Sequence, residues 1–196
     1  MQELTGLFER MDEAYGRAAG AHGFDCRGCE ENCCRTRFHH YTLCEYLYLR
    51  KGFARLPESD RQRIGVKAVR VVEATAEADA QGRPAVVMCP LNENDRCILY
   101  AYRPMICRLH GIPHRLNRPD GRQQVGPGCA DFDRQCGPTK SVFLDRTPLY
   151  AGLAELEQRA RRQSAFKGKL RMTIAQILTQ EIILPNPTEF GSEFVT

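Results

Sequence analysis

The sequence predicts a small, mainly α domain with little β structure, organised around two irregular cysteine-rich metal-binding segments. Three observations predict it. Apolar residues recur at helical spacing over several stretches, ten cysteines crowd mainly into two segments of a 196-residue chain, and glycine and proline interrupt the region between the helices.

The elements follow in chain order. Residues 3–20 carry Leu4, Leu7, Phe8, Met11 and Tyr15 on one stripe, which predicts an amphipathic helix ended by Gly20 and Gly23. Residues 24–40 are too rich in cysteine, charge and turn formers for a long regular element. A second helix is expected over 42–52, started by Thr42 and terminated by Gly52. A third is expected over 59–81, capped by Ser59 and carrying Ile64, Ala68, Val71, Val72 and Ala78. From 82 to 130 the chain reads as loops and short strands, with one brief helix beginning at Pro104. Helices over 147–164 and 172–181 complete the fold, Pro148 suiting a first helical position. The organisation is then an N-terminal helix (1–23), a cysteine-cluster domain (24–136), a C-terminal helical region packed on it (137–184) and a loosely held tail (185–196).

Composition narrows the chemistry. A hydrophobic fraction of 42% is enough for a core, and no window approaches the eighteen apolar residues of a membrane span. Residues 1–20 are charged and amphipathic rather than apolar, so an export signal is not expected and the cytoplasm is the expected compartment. Thiols stay reduced there, which ranks metal or redox chemistry above a disulfide framework. The formal charge of +4 counts every cysteine as neutral. Two zinc ions, each held by four thiolates, would cancel it, so the basic balance argues weakly for nucleic acid. The basic run at 159–171 reads as the solvated face of a helix and its following loop. Nucleic acid is therefore not an expected partner.

The cysteines carry the main signal. Cys26, Cys29, Cys33 and Cys34 form a CxxCxxxCC string, in which a two-residue spacer lets two sulfurs turn toward one ion. Cys89, Cys97, Cys107 and Cys129 supply the second set. Distant segments must meet for these thiols to surround metal, so metal would cross-link the fold. Adjacent residues in extended chain point to opposite faces, and Cys33 and Cys34 could therefore serve two nearby centres. Spacing leaves open how the eight would be divided, or whether they serve a single centre. Cys44 occupies the ordinary position of a small buried hydrophobe on its helix, with ligation as the alternative. Cys136 and His110 are further candidates, His110 because it follows Cys107 by three residues on a shared helical face. Arg103 and Arg108 flank Cys107 and are placed to donate hydrogen bonds to sulfur or to offset a negative centre.

The strings CRGCEENCC and CPLNENDRCILYAYRPMICR, with the later Gly128–Cys129, resemble the YkgJ-type cysteine-cluster family of zinc- or iron-chelating domain proteins. Cys26, Cys29, Cys33 and Cys34 fall on the first part of its pattern. Cys89, Pro90, Leu91, Cys97, Ile98, Tyr100, Arg103, Pro104, Cys107 and Arg108 fall on the second, and Glu45 resembles the acidic residue after the vicinal cysteines. The resemblance covers roughly residues 24–132 and implies metal binding, with iron–sulfur ligation among the options. The chain departs from it at Leu109-His110-Gly111-Ile112-Pro113, where the family commonly has an aromatic followed by proline.

No P-loop, dinucleotide fingerprint, HExxH or GxSxG is present. The expected function is that of an iron–sulfur or iron–thiolate protein serving electron transfer or supporting a redox or modification enzyme, with a protein redox partner or client. The alternative is a zinc-structured adaptor or a metallochaperone without catalytic activity. Iron–sulfur clusters or iron are the expected cofactors, zinc the alternative.

Overall fold

A computed structural model describes residues 1–26, 33–137 and 142–186. Among them are seven α-helices, a single 3-10 turn and five short strands, with no closed sheet. The mainly helical expectation holds. No helix among the described residues is long and apolar enough to cross a membrane. The chain divides into two compact units, each assembled from two separated stretches. The first joins Met1–Cys33 to Met105–Leu156, and the second joins Cys34–Pro104 to Glu157–Thr196.

In the first unit, α1 (Gln2–His22) buries Leu4, Leu7, Phe8 and Met11, the stripe that its periodicity predicts. It stops at Gly23, whose backbone is left-handed with φ 65°. The short α4 (Met105–Leu109) packs on α1. A three-stranded sheet follows. Its central strand β3 (His114–Asn117) pairs antiparallel with β4 (Gln123–Gly126) and parallel with β5 (Leu144–Asp145). Helix α5 (Ala130–Cys136) lies between β4 and β5 in the chain. The early part of α6 (Thr147–Ser164) contributes Leu149 and Leu153 to the buried set, and the Leu7 side chain lies 3.2 Å from where a Cβ on Gly152 would sit.

In the second unit, α2 (Leu43–Ala54), α3 (Glu58–Ala80) and α7 (Ile174–Thr179) enclose a core that includes Leu43, Leu49, Ile64, Leu91 and Ile177. Full burial of each such side chain is worth about 1.5–3 kcal/mol. Thr42 caps α2 as expected, its hydroxyl accepting the Glu45 amide at 3.4 Å. Thr173 and Gln176 form a reciprocal capping box on α7. The strands β1 (Asn92–Glu93) and β2 (Arg96–Cys97) form a minimal antiparallel pair.

Two helix boundaries differ from expectation. Gly52 does not end α2, which continues to Ala54. Its lack of a side chain serves packing instead: the Tyr102 ring passes 2.3 Å from the position a Cβ would take. Ser59 does not cap α3 either. The helix starts at Glu58 after Pro57, whose carbonyl accepts the Asp60 and Arg61 amides at 3.0 Å each. Beyond α7, the Tyr46 hydroxyl donates to the Gln180 carbonyl and accepts the Ile182 amide, both at 3.1 Å. The tail expected from Pro185 onward lies mostly outside the described residues.

Candidate metal centre

The division into units sorts the cysteines. Cys26, Cys33, Cys107, Cys129 and Cys136 fall in the first unit, and Cys34, Cys44, Cys89 and Cys97 in the second. Cys29 lies outside the described residues. The division passes between the vicinal pair, with Cys33 in one unit and Cys34 in the other.

In the first unit the focus is Tyr15, near the end of the buried stripe of α1. Its half-buried hydroxyl donates a hydrogen bond to the Cys26 sulfur, and Cys33 and Cys129 are close enough to act on it electrostatically. Burial, followed by Cys26, pushes its ionisation well above the ordinary phenol range. Gly111 lies beneath this group with φ +102°, a conformation that L side chains rarely adopt. A Cβ there would sit 3.4 Å from the Tyr15 hydroxyl and 3.7 Å from the Cys129 Sγ. The Gly111 carbonyl accepts the Cys129 amide at 3.1 Å, which fixes that cysteine's backbone. Cys129 also begins α5, its sulfur accepting the Phe132 amide at 3.4 Å.

The other first-unit candidates have separate surroundings. Cys107 is the third residue of α4, and His110 follows that helix directly. The Cys136 thiol donates to the His22 carbonyl at 3.4 Å. Burial, Asp133 and Cys129 push the Cys136 thiol up, which disfavours its thiolate. Arg108 is buried, ion-paired with Asp12, and stacked 4.5 Å above the Phe8 ring centroid.

In the second unit the backbone gathers three cysteines. The Cys89 amide donates to the Cys34 carbonyl at 2.8 Å, and the Cys89 carbonyl accepts the Asn92 amide at 3.0 Å. Asn92 in turn faces Cys97 across the β1–β2 pair. Asn94 and Asp95 make the turn between those strands with φ of 50° and 62°, a left-handed pair that these two residue types tolerate. Cys89 and Cys97 both pack against the hydrophobic core of the unit. Cys44 belongs elsewhere: it is buried on α2, and its amide donates to Glu157 at 3.1 Å. Burial, Glu45 and Glu157 push its thiol up. Arg103 stacks 3.5 Å over Tyr100 and donates to the Tyr100 carbonyl at 3.1 Å.

Thiols are suitable donors for iron or zinc. Among the described residues, no three His, Cys, Asp or Glu side chains are grouped closely enough to hold a metal ion. No family model, curated protein or solved structure matches the chain.

Sequence patterning alone assigned Tyr15 only to the hydrophobic stripe. The signal that distinguishes it is chemical, because a buried phenol needs a hydrogen-bond partner that Leu7 or Met11 does not. Asp12, the partner of Arg108, lies on the same helix and was equally silent in the motif pattern.

Proposed function

We propose that this chain is a cysteine-ligated metalloprotein. It carries iron–sulfur or iron–thiolate centres for electron transfer, or supports a redox or modification enzyme in the cytoplasm through a protein partner. The observation that carries this proposal is the spacing of the cysteines themselves, in the CxxCxxxCC string that begins at Cys26 and in Cys89, Cys97, Cys107 and Cys129. The YkgJ-type pattern of the cysteines supports it independently of the fold. The division of the chain favours two ligand sets among the described residues: Cys26, Cys33, Cys107 and Cys129 in one unit, and Cys34, Cys89 and Cys97 in the other.

A bound iron centre would supply one-electron chemistry. The chain supplies soft sulfur donors, Cys26 exposed and Cys33, Cys34, Cys89, Cys97, Cys107 and Cys129 half-buried. It also supplies backbone contacts that fix Cys129 and Cys89. Cys44, buried on α2, stands outside both sets, and Cys136, whose thiol donates to the His22 carbonyl, is a further candidate of the first unit.

Anaerobic purification followed by metal analysis, sulfide analysis and visible spectroscopy tests the proposal. Iron with sulfide and broad visible absorption is expected for a cluster, and iron without sulfide for an iron–thiolate centre. Stoichiometric zinc with neither iron nor sulfide replaces it with the zinc-structured alternative. Protein that binds none of these metals overturns both.

A further inference from the structure

We infer that the exposed row Lys167, Lys169 and Arg171, with Tyr41 beside it, is a docking surface for a single-stranded nucleic acid. The inference stands apart from the metal reading above. Phe166, Leu170 and Met172 pack against the core of the second unit, while Lys167, Lys169 and Arg171 between them are exposed. This alternation is that of an extended segment laid along a core, and it sets the three cations in one row about 7 Å apart. An antiparallel bridge adds to the row. The His40 amide donates to the Met172 carbonyl at 2.8 Å, and the Met172 amide to the His40 carbonyl at 3.0 Å. Both bridge residues are buried, so their neighbours Tyr41 and Arg171 project to solvent opposite one another. Tyr41 is 57% exposed. His39, on the far side of the bridge from Tyr41, feels the same basic field. Burial first, then Arg171 and Arg37, lowers its pKa, opposed by one carboxylate, Asp79. Asp79 is held by Arg37 through two hydrogen bonds of 2.6 and 2.7 Å. Among the described residues, no ion pair neutralises Lys167, Lys169 or Arg171. A row of such cations suits a linear polyanion, and the exposed ring offers a face on which an unstacked base can lie. A duplex keeps its bases stacked and an acidic protein has none, so the ring favours a single strand. The basic run by itself reads as a solvated face; folding adds Tyr41 from a distant segment.

The test measures binding of the full chain to a fluorescein-labelled oligothymidylate of about twelve nucleotides, by anisotropy across a salt series. Binding is expected, with log affinity falling against log salt at a slope of about −2 for three cations. The double variant Lys167→Ala/Lys169→Ala should bring that slope to about −0.7. Tyr41→Leu should weaken binding about tenfold and leave the slope unchanged. These substitutions fall at exposed positions and leave the core untouched. Oligouridylate of the same length is run in parallel, and tighter binding of either strand supports the inference and assigns RNA or DNA. Absence of binding at the lowest salt overturns it. An unchanged slope in the double variant also overturns it, because the contact then lies elsewhere. If a duplex of the same length binds as tightly, or polyglutamate competes as well, while Tyr41→Leu has no effect, the surface is a general polyanion or acidic-protein site and the inference falls.

Discussion

The amide of Cys89 donates to the carbonyl of Cys34 at 2.8 Å, joining the two cysteine-bearing segments through the backbone before any metal is considered. This contact places Cys34 with the second-unit cysteines, although Cys33 precedes it by one residue and belongs to the first.

Serine substitutions should therefore sort by unit. Cys89→Ser and Cys97→Ser are expected to lower bound metal while leaving the first-unit share in place, and Cys129→Ser should do the reverse. Cys44→Ala should leave the metal-to-protein ratio unchanged and cost about 1 kcal/mol of stability through a small buried cavity. Metal analysis and denaturant titration of the same preparations measure both effects. Loss of metal in Cys44→Ala would return that residue to the ligand set.

The ion pair of Arg108 with Asp12 is unequal, with side chains 4% and 44% exposed respectively. Removing the carboxylate takes one charge partner from a buried guanidinium. Asp12→Ala should cost about 2 kcal/mol, between the value of a surface pair and that of a fully buried one. Arg108→Met, which keeps an apolar stem over Phe8, should cost less than Arg108→Ala. Urea unfolding midpoints of the three variants check the order.

His40 is buried, and its Nε2 has no hydrogen-bond partner. Burial first, then the neighbouring His39, lowers its pKa from 6.5 to about 4. The unfolded chain thus takes up a proton at a pH where the folded one does not. The contribution of a neutral His40 is fully present above pH 6.5 and is lost as the pH falls toward about 4. The loss should total about 3 kcal/mol. Stability measured across that window should fall less steeply in His40→Leu; an unchanged slope would assign the acid sensitivity to other groups.

An alanine in place of a glycine inside a helix ordinarily stabilises by about 1 kcal/mol. Gly52 should reverse that sign. Its added methyl would clash with the Tyr102 ring, which also contacts Tyr48, 4.9 Å between centroids. Gly52→Ala should destabilise by about 1–3 kcal/mol. The double variant Gly52→Ala/Tyr102→Ala should recover part of that loss relative to Tyr102→Ala, by thermal unfolding.

The long helices were legible because their stripes are long: Leu4 to Met11 on α1 spans two turns, and α3 carries Ile64 and Ala68 one turn apart. The end of α2 was not, because a glycine at a helix end and one beneath an aromatic ring look alike in sequence. Short strands were expected over 82–130, where β3 and β4 lie, but their pairing and the addition of β5 were hidden. Strand β4 reads Gln-Gln-Val-Gly, three of its four residues are exposed, and β5 has only two residues. The cysteine strings pointed to thiol chemistry, yet their division between units depends on which distant backbones meet. That property belongs to tertiary pairing and leaves no trace in spacing.

Because the stretches of the two units alternate along the chain, neither unit is complete until material from the later half has been made. On the ribosome, α1 emerges long before α4, and Tyr46 emerges 134 residues ahead of the carbonyl that its hydroxyl will hold. The first unit is complete in sequence at Leu156, and the second only with the stretch that follows it. Tyr15 and Cys26 are translated more than a hundred residues before Cys129, so the cysteines that share the first unit emerge far apart in time.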